Sequence, residues 1–199
     1  MKLYERLPNS VIVNGRRVKC DFSFRNVLRM LDTLARDDLT ADARIYIAKS
    51  CITKNRRVKP QELLTKVYEI LFPKGKTEEN KEKLTDFAQD ADFIRAAFMQ
   101  EYGINLYRDD LHWCEFSALL SGLPEGSRYT EILGIRARPM PAPTKWNSEE
   151  RKWLAKAKAQ FAVALTDREA RDSFNASLRS VAFSLLSLAE KGGGVDGAE

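Results

Sequence analysis

Cysteine and histidine are scarce in this chain of 199 residues, which holds three Cys and one His. Cys20, Cys51 and Cys114 are odd in number and far apart. That spacing excludes a disulfide framework and a CxxC metal clamp, and it suits a reducing compartment. A lone histidine, His112, rules against a histidine-based metal site within one chain. Long apolar runs are also missing, and none approaches the roughly 20 residues of a membrane span, so no membrane association is expected. The opening stretch MKLYERLPNS lacks the apolar core of a signal peptide, which places the expected product in the cytoplasm where it is made.

Charge is not evenly spread. The net value is +5, yet residues 1–60 hold 14 Lys and Arg against 6 Asp and Glu, while residues 61–199 hold 19 against 22. A basic end is either a solvated face or a surface for nucleic acid or an acidic partner. The runs Arg16-Arg17-Lys19 and Lys54-Arg56-Arg57-Lys59 are the candidates for nucleic acid. They lack the interleaved aromatics of single-strand binders and sit in no helix-turn-helix pattern, so nucleic-acid binding is not expected. GKT at residues 75–77 resembles part of a phosphate loop, but Ile70 stands where that loop needs its first glycine, and no nucleotide site is expected.

What is present is helical periodicity. The hydrophobic content of 44% supports one domain with a sizeable core. VIVNGRRVKC at residues 11–20 predicts a hairpin: Val11 and Val13 alternate with Ile12, Asn14-Gly15 suits a type I′ turn, and Val18 and Cys20 return. A hairpin alone is marginal, so it should lie on helices. Asp21 or Ser23 starts the first, with Phe24, Val27, Leu28, Leu31 and Leu34 on one side. Thr40 caps a second carrying Ile45, Ile47, Ala48, Cys51 and Ile52. Pro60 opens a third, with Leu63, Leu64, Val67, Tyr68, Leu71 and Phe72 spaced for burial and Pro73 as its stop. KGKTEENKEK then predicts a mobile loop at about residues 74–85.

The aromatic-rich stretch from Asp86 to Arg138 predicts three more helices. Asp90 caps one whose apolar stripe is Phe93, Ile94, Ala97, Phe98 and Tyr102, ended by a left-handed Gly103. Asp109 or Asp110 caps the next, with Leu111, Trp113, Phe116, Leu119 and Leu120 before Gly122. Ser127 opens the third, containing Tyr129, Ile132 and Leu133 and stopped by Gly134. Pro139, Pro141 and Pro143 make residues 139–147 a stiff connector. Asn147 or Ser148 caps a further helix with Leu154, Ala157, Phe161, Ala164 and Leu165 inward, and Thr166 with Glu169 forms a capping box for a last one. That last seam, Ala170 to Leu188, either closes a helical hairpin or meets a partner. The expected architecture is therefore mainly α. Residues 1–138 form a helical core domain with an N-terminal hairpin, 148–190 a C-terminal helical pair, and 191–199 a disordered tail.

No constellation of catalytic, cofactor-binding or metal-binding residues emerges. Asp86, Asp90 and Asp92 form a carboxylate cluster, but capping accounts for Asp90 and no calcium-type loop follows. Asp109, Asp110, His112 and Glu115 imitate an acid-base group, yet capping accounts for one Asp and His112 reads as a packed or capping residue. No Ser or Cys has an identifiable base held by a third group.

DADFIRAAFMQEYGINL, followed by LHWCEFSALLSGLPEGSRYTEILGIR, resembles the signature of the bacteriophage gene-product-fifteen family. LPNSVIVNGRRVKCDFSFRNVLRML resembles that family's opening strand pair and first helix, and the similarity covers residues 7 to about 165. One departure is that Trp113 is followed by Cys114, where family members carry two adjacent tryptophans. The resemblance implies a non-enzymatic tail assembly protein, encoded near the tape-measure gene and acting as a chaperone in the host cell cytoplasm. It implies the tape-measure protein as partner, with the tail-tube protein and self-association as further candidates. A tail-completion or connector protein retained in the virion is the alternative, and a small DNA-binding regulator a third. The expected contact surfaces are the exposed parts of the central aromatic block and the last helix.

Overall fold

The computed structural model describes residues 4–72 and 84–164. The chain divides into two compact units, Met1–Phe161 and Ala162–Glu199. Only residues 162–164 of the second are described, so the expected last helix, its seam and the tail lie outside the described residues. So does the expected loop up to residue 83. Among the described residues the first unit is mainly α, with one two-stranded hairpin and seven helices.

The hairpin pairs β1 (Ser10–Val13) with β2 (Arg16–Lys19), Val11 opposite Val18 and Val13 opposite Arg16. Asn14 and Gly15 take φ of 49° and 73°, the left-handed pair that a type I′ turn requires. Val11, Val13 and Val18 face inward while Ile12 faces water. Asn14 Nδ2 donates to Glu62 Oε2 at 2.6 Å, tying the turn to α3 (Pro60–Leu71).

Ser23, rather than Asp21, caps α1 (Phe24–Ala35), its hydroxyl accepting from Asn26 N. Asp21 accepts from Ser23 N and so braces the cap. Thr40 caps α2 (Ala41–Ile52), and Pro60 occupies the first turn of α3, where its missing N–H leaves nothing unpaired. Two residues of α2 and α3 expected inward are not. Ile47 is 41% exposed and Tyr68 58%. The buried seam of α2 runs instead through Ala48 and Ile52, one turn apart, with Lys49 beside them donating to Val58 O at 2.6 Å. α3 buries Leu63, Val67 and Leu71 and ends at Leu71, two residues before Pro73.

α4 (Ala91–Tyr102) ends at Gly103, left-handed at φ 67°, as its sequence requires. Its start differs from expectation. Asp90 holds the N-cap position, but its carboxylate makes no bond to the helix amides and turns inward to Arg136. α5 (Trp113–Ser121) is capped by His112, not by Asp109 or Asp110. α6 (Arg128–Ala137) begins at the Ser127 cap as expected but runs straight through Gly134. Continuing packing on both sides of a glycine outweighs its modest helical cost. α7 (Ser148–Gln160), beyond the proline segment, packs on α6 within the same compact unit. Asn147 sits at its N-cap position without bonding its amides, accepting instead from Thr144 N. The helix buries Leu154 and Ala157 but ends at Gln160, so Phe161 and Ala164, expected on its inward face, lie beyond it, Ala164 exposed, and Leu165 lies outside the described residues.

Phe116 of α5 is the centre of the core. Its ring stacks on Phe24 of α1 at 4.9 Å and on Phe98 of α4 at 5.3 Å, and Trp113 lies at 5.7 Å. Such ring pairs add about 0.5–1.5 kcal/mol each beyond burial. Three helices from distant parts of the chain are thereby fixed about one side chain. The central aromatic block is thus largely interior, and Met99 and Tyr107 are among its few exposed members.

Candidate functional site

Two local strands of chain cross where α1 and α5 begin. Trp113 N donates to Phe22 O at 2.8 Å and Phe24 N to Leu111 O at 2.9 Å, a short antiparallel bridge pairing Ser23 with His112. The bridge fixes both caps in one place. His112 Nδ1 accepts from Cys114 N at 3.1 Å, and Glu115 Oε2 accepts from His112 N at 3.0 Å, a capping box. Because Nδ1 accepts, the ring proton sits on Nε2, which donates to Pro8 O at 2.8 Å. Both ring nitrogens are therefore engaged in holding the backbone.

The acidic neighbours are engaged as well. Asp109 Oδ2 accepts from Asn105 N, closing the turn after α4. Asp110 pairs with Arg25 at 2.8 Å, and Arg25 also donates to Leu106 O and Asp109 O. The sequence suggested Asp109 and Asp110 as caps; instead they fold the 105–110 loop and pin it to α1.

Beside this bridge opens a groove of about 1120 Å³ between the exit of β2, the end of α2 and residues 110–112. Phe22, Ile52 and Leu111 supply apolar lining, and Ile47 stands exposed at its edge. Lys19 from β2, Arg29 from α1 and Lys54 from the α2–α3 loop converge on it. All three are exposed. Two hydrogen bonds brace the groove: Thr53 Oγ1 donates to Lys19 O at 2.8 Å, and Asp21 N to Ile52 O at 2.9 Å. Each basic run of the sequence contributes one residue to it, Lys19 of β2 and Lys54 after α2, while Lys59 pairs with Glu62.

Two of the three thiols are made less reactive by their surroundings. Burial pushes Cys20 up to about 11, and burial followed by the Glu115 charge raises Cys114. Cys51, half-buried, lines the groove. The carboxylate cluster near α4 is also differently built than its spacing suggested. Asp86 Oδ1 accepts from Ala88 N and Gln89 N, and Asp92 pairs with Arg95 on the surface. Asp90 is fully buried against Arg136, whose pKa is raised chiefly by that hydrogen bond. No group of three or more His, Cys, Asp or Glu among the described residues is arranged to hold a metal ion.

Sequence reasoning missed the groove because its cations come from three elements. It also missed Arg136, for which a signal exists: Tyr129, Ile132, Leu133 and residue 136 share one helical stripe. No helix among the described residues is long and apolar enough to cross a membrane. A family model described as Bacteriophage Gp15 protein matches residues 3–163, so it spans nearly all of the first compact unit. No curated protein and no solved structure matches the chain.

Proposed function

The chain belongs to the Bacteriophage Gp15 protein family, whose members are phage structural and morphogenesis proteins, and from that premise we propose that it is a non-enzymatic tail assembly chaperone. Its client is the tape-measure protein, whose apolar helical segments it masks in the host cytoplasm before tail-tube subunits polymerise around them. The observation that carries this reading is the state of the groove's polar groups. His112, Asp21 and Asp110 are engaged in holding backbone or pairing with Arg25, while exposed cations and apolar side chains remain for contact. Reversible masking asks for a modest surface of this kind, because the tube protein must displace it. Exposed Met140, Trp146 and Trp153 offer further apolar contact, and Trp146 is 88% exposed. The tail-tube protein and a second copy of the chain are the other partners that this role admits.

Co-expression with the adjacent tape-measure product tests the proposal. Raised solubility of that product and a recoverable complex are expected. Unchanged solubility with no complex rejects it. Mass spectrometry of purified particles is the companion test, with the chain expected to be absent. Recovery at stoichiometric copy number would replace the chaperone with a connector retained in the virion.

A further inference from the structure

We propose that the groove beside the Ser23–His112 bridge is a docking site for an acidic, amphipathic protein segment, with Lys19, Arg29 and Lys54 receiving its carboxylates. The proposal deepens the assembly reading, on which it rests, by naming the chemistry of the partner's segment.

Charge complementarity selects the occupant. None of the three cations has an ion-pair partner among the described residues, although ten ion pairs are formed elsewhere in them. The groove's two carboxylates, by contrast, are engaged: Asp21 accepts from Ser23 N and Asp110 pairs with Arg25. The three cations therefore outnumber Asp21, the lining carboxylate without an ion pair among the described residues, and a positive excess is left at a concave surface, where it attracts the opposite charge most effectively. Arg16, Arg17, Arg56 and Arg57, all exposed, add the same sign on the neighbouring stretches of chain.

The floor distinguishes a protein segment from a nucleic acid. Phe22 and Ile52 are closed into the core beneath the groove, but Leu111 and Cys51 are partly exposed in its lining and Ile47 is exposed, which rewards an apolar side chain and not a phosphate. No Trp or Tyr lines the groove to stack an unpaired base. A peptide places single carboxylates against Lys19, Arg29 and Lys54 and its apolar side chains between them. Helix-in-groove docking has this form, an apolar stripe inserted and charges at the rim.

The test uses the full chain and a labelled helical peptide with one face of Glu and the other of Leu, followed by fluorescence anisotropy. A Lys-for-Glu version of that peptide and a labelled DNA duplex serve as comparisons. The acidic peptide is expected to bind, with affinity falling as salt rises. The double variant Lys19→Glu/Lys54→Glu should weaken it about tenfold or more, while Lys156→Glu on the remote α7 changes it by less than about twofold. Bound peptide should also slow alkylation of Cys51 and leave Cys114 unchanged. Equal affinity for the double variant, binding without protection of Cys51, or preference for the duplex each overturns the proposal. Melting curves of the variants report whether they fold. If the tape-measure complex forms equally well with the double variant, the groove proposal falls and the assembly reading stands. If the peptide docks as described but no tape-measure complex forms, the reverse holds.

Discussion

Arg136 grips both carboxylate oxygens of Asp90, Nη1 to Oδ2 and Nη2 to Oδ1, each at 2.7 Å and both groups shut away from water. The guanidinium also donates to Leu84 O at 2.7 Å and, through Nε, to Phe161 O at 2.6 Å. One side chain thus ties the entry to α4, the end of α6 and the end of α7. Removing either partner leaves a buried, unpaired charge. Asp90→Asn and Arg136→Met should each cost roughly 3–5 kcal/mol, and the double variant less than the sum of the two. Urea unfolding measures this. Losses below about 1 kcal/mol for both single variants would show that the pair is not a structural linchpin.

His112 should matter for stability through its two ring nitrogens. His112→Ala removes the acceptor for Cys114 N and the donor to Pro8 O, at a cost of about 1–2 kcal/mol. For a domain of this size that lowers Tm by about 2–4 °C per kcal/mol. His112→Asn keeps a capping oxygen and should recover much of the loss, with the Pro8 tether still missing. An alanine variant that melts with the wild type would remove the cap from the account of α5.

The elements legible in the sequence were those specified within a few residues. Asn14-Gly15 dictates its turn alone, and Ser23, Thr40, Ser127 and Pro60 begin their helices by local bonds or a fixed φ. What escaped is what distance decides. Asp90 is drawn from its amides by an arginine 46 positions away. His112 outcompetes Asp110 as a cap because a strand bridge to Ser23 fixes where α5 starts. Ile47 has an apolar side chain on a helix whose buried seam is narrower than its hydrophobic face. The groove escaped for the same reason, since Lys19, Arg29 and Lys54 become neighbours only after the hairpin and α2 are packed.

Stability should fall at alkaline pH through Cys20. Burial raises its thiol from 9.0 to about 11 in the folded chain. Below pH 9 the thiol is protonated in both states, and its contribution is complete. Between pH 9 and about 11 the unfolded chain releases the proton while the folded chain retains it, so unfolding is favoured, by roughly 1–3 kcal/mol when the change is finished. Tyr129, also raised chiefly by burial, adds a loss of the same sign above pH 10. Cys20→Ala should flatten the slope between pH 9 and 10 in denaturation curves taken at fixed salt. An unchanged slope would assign the alkaline loss to other groups. In the native protein Cys20 should also be the last of the three thiols to react with an aromatic disulfide reagent.

Two glycines should respond in opposite directions to the same methyl group. Gly134 lies inside α6, exposed, with helical neighbours on both sides and nothing within 4 Å of the position a Cβ would take. Alanine there restricts the unfolded chain without meeting any obstacle, so Gly134→Ala should stabilise by about 0.5–1 kcal/mol. Gly103 has equally open space but stands at φ 67°, where its amide donates to Met99 O at 3.1 Å to close α4. Gly103→Ala must hold a side chain in the left-handed region, at a cost of about 1–2 kcal/mol. Because neither site offers a clash, the opposite signs isolate backbone conformation as the cause. Thermal melts of the two variants decide the matter. Destabilisation by Gly134→Ala would mean that α6 does end at that glycine, and the inward reach of Arg136 two residues later would then need another explanation.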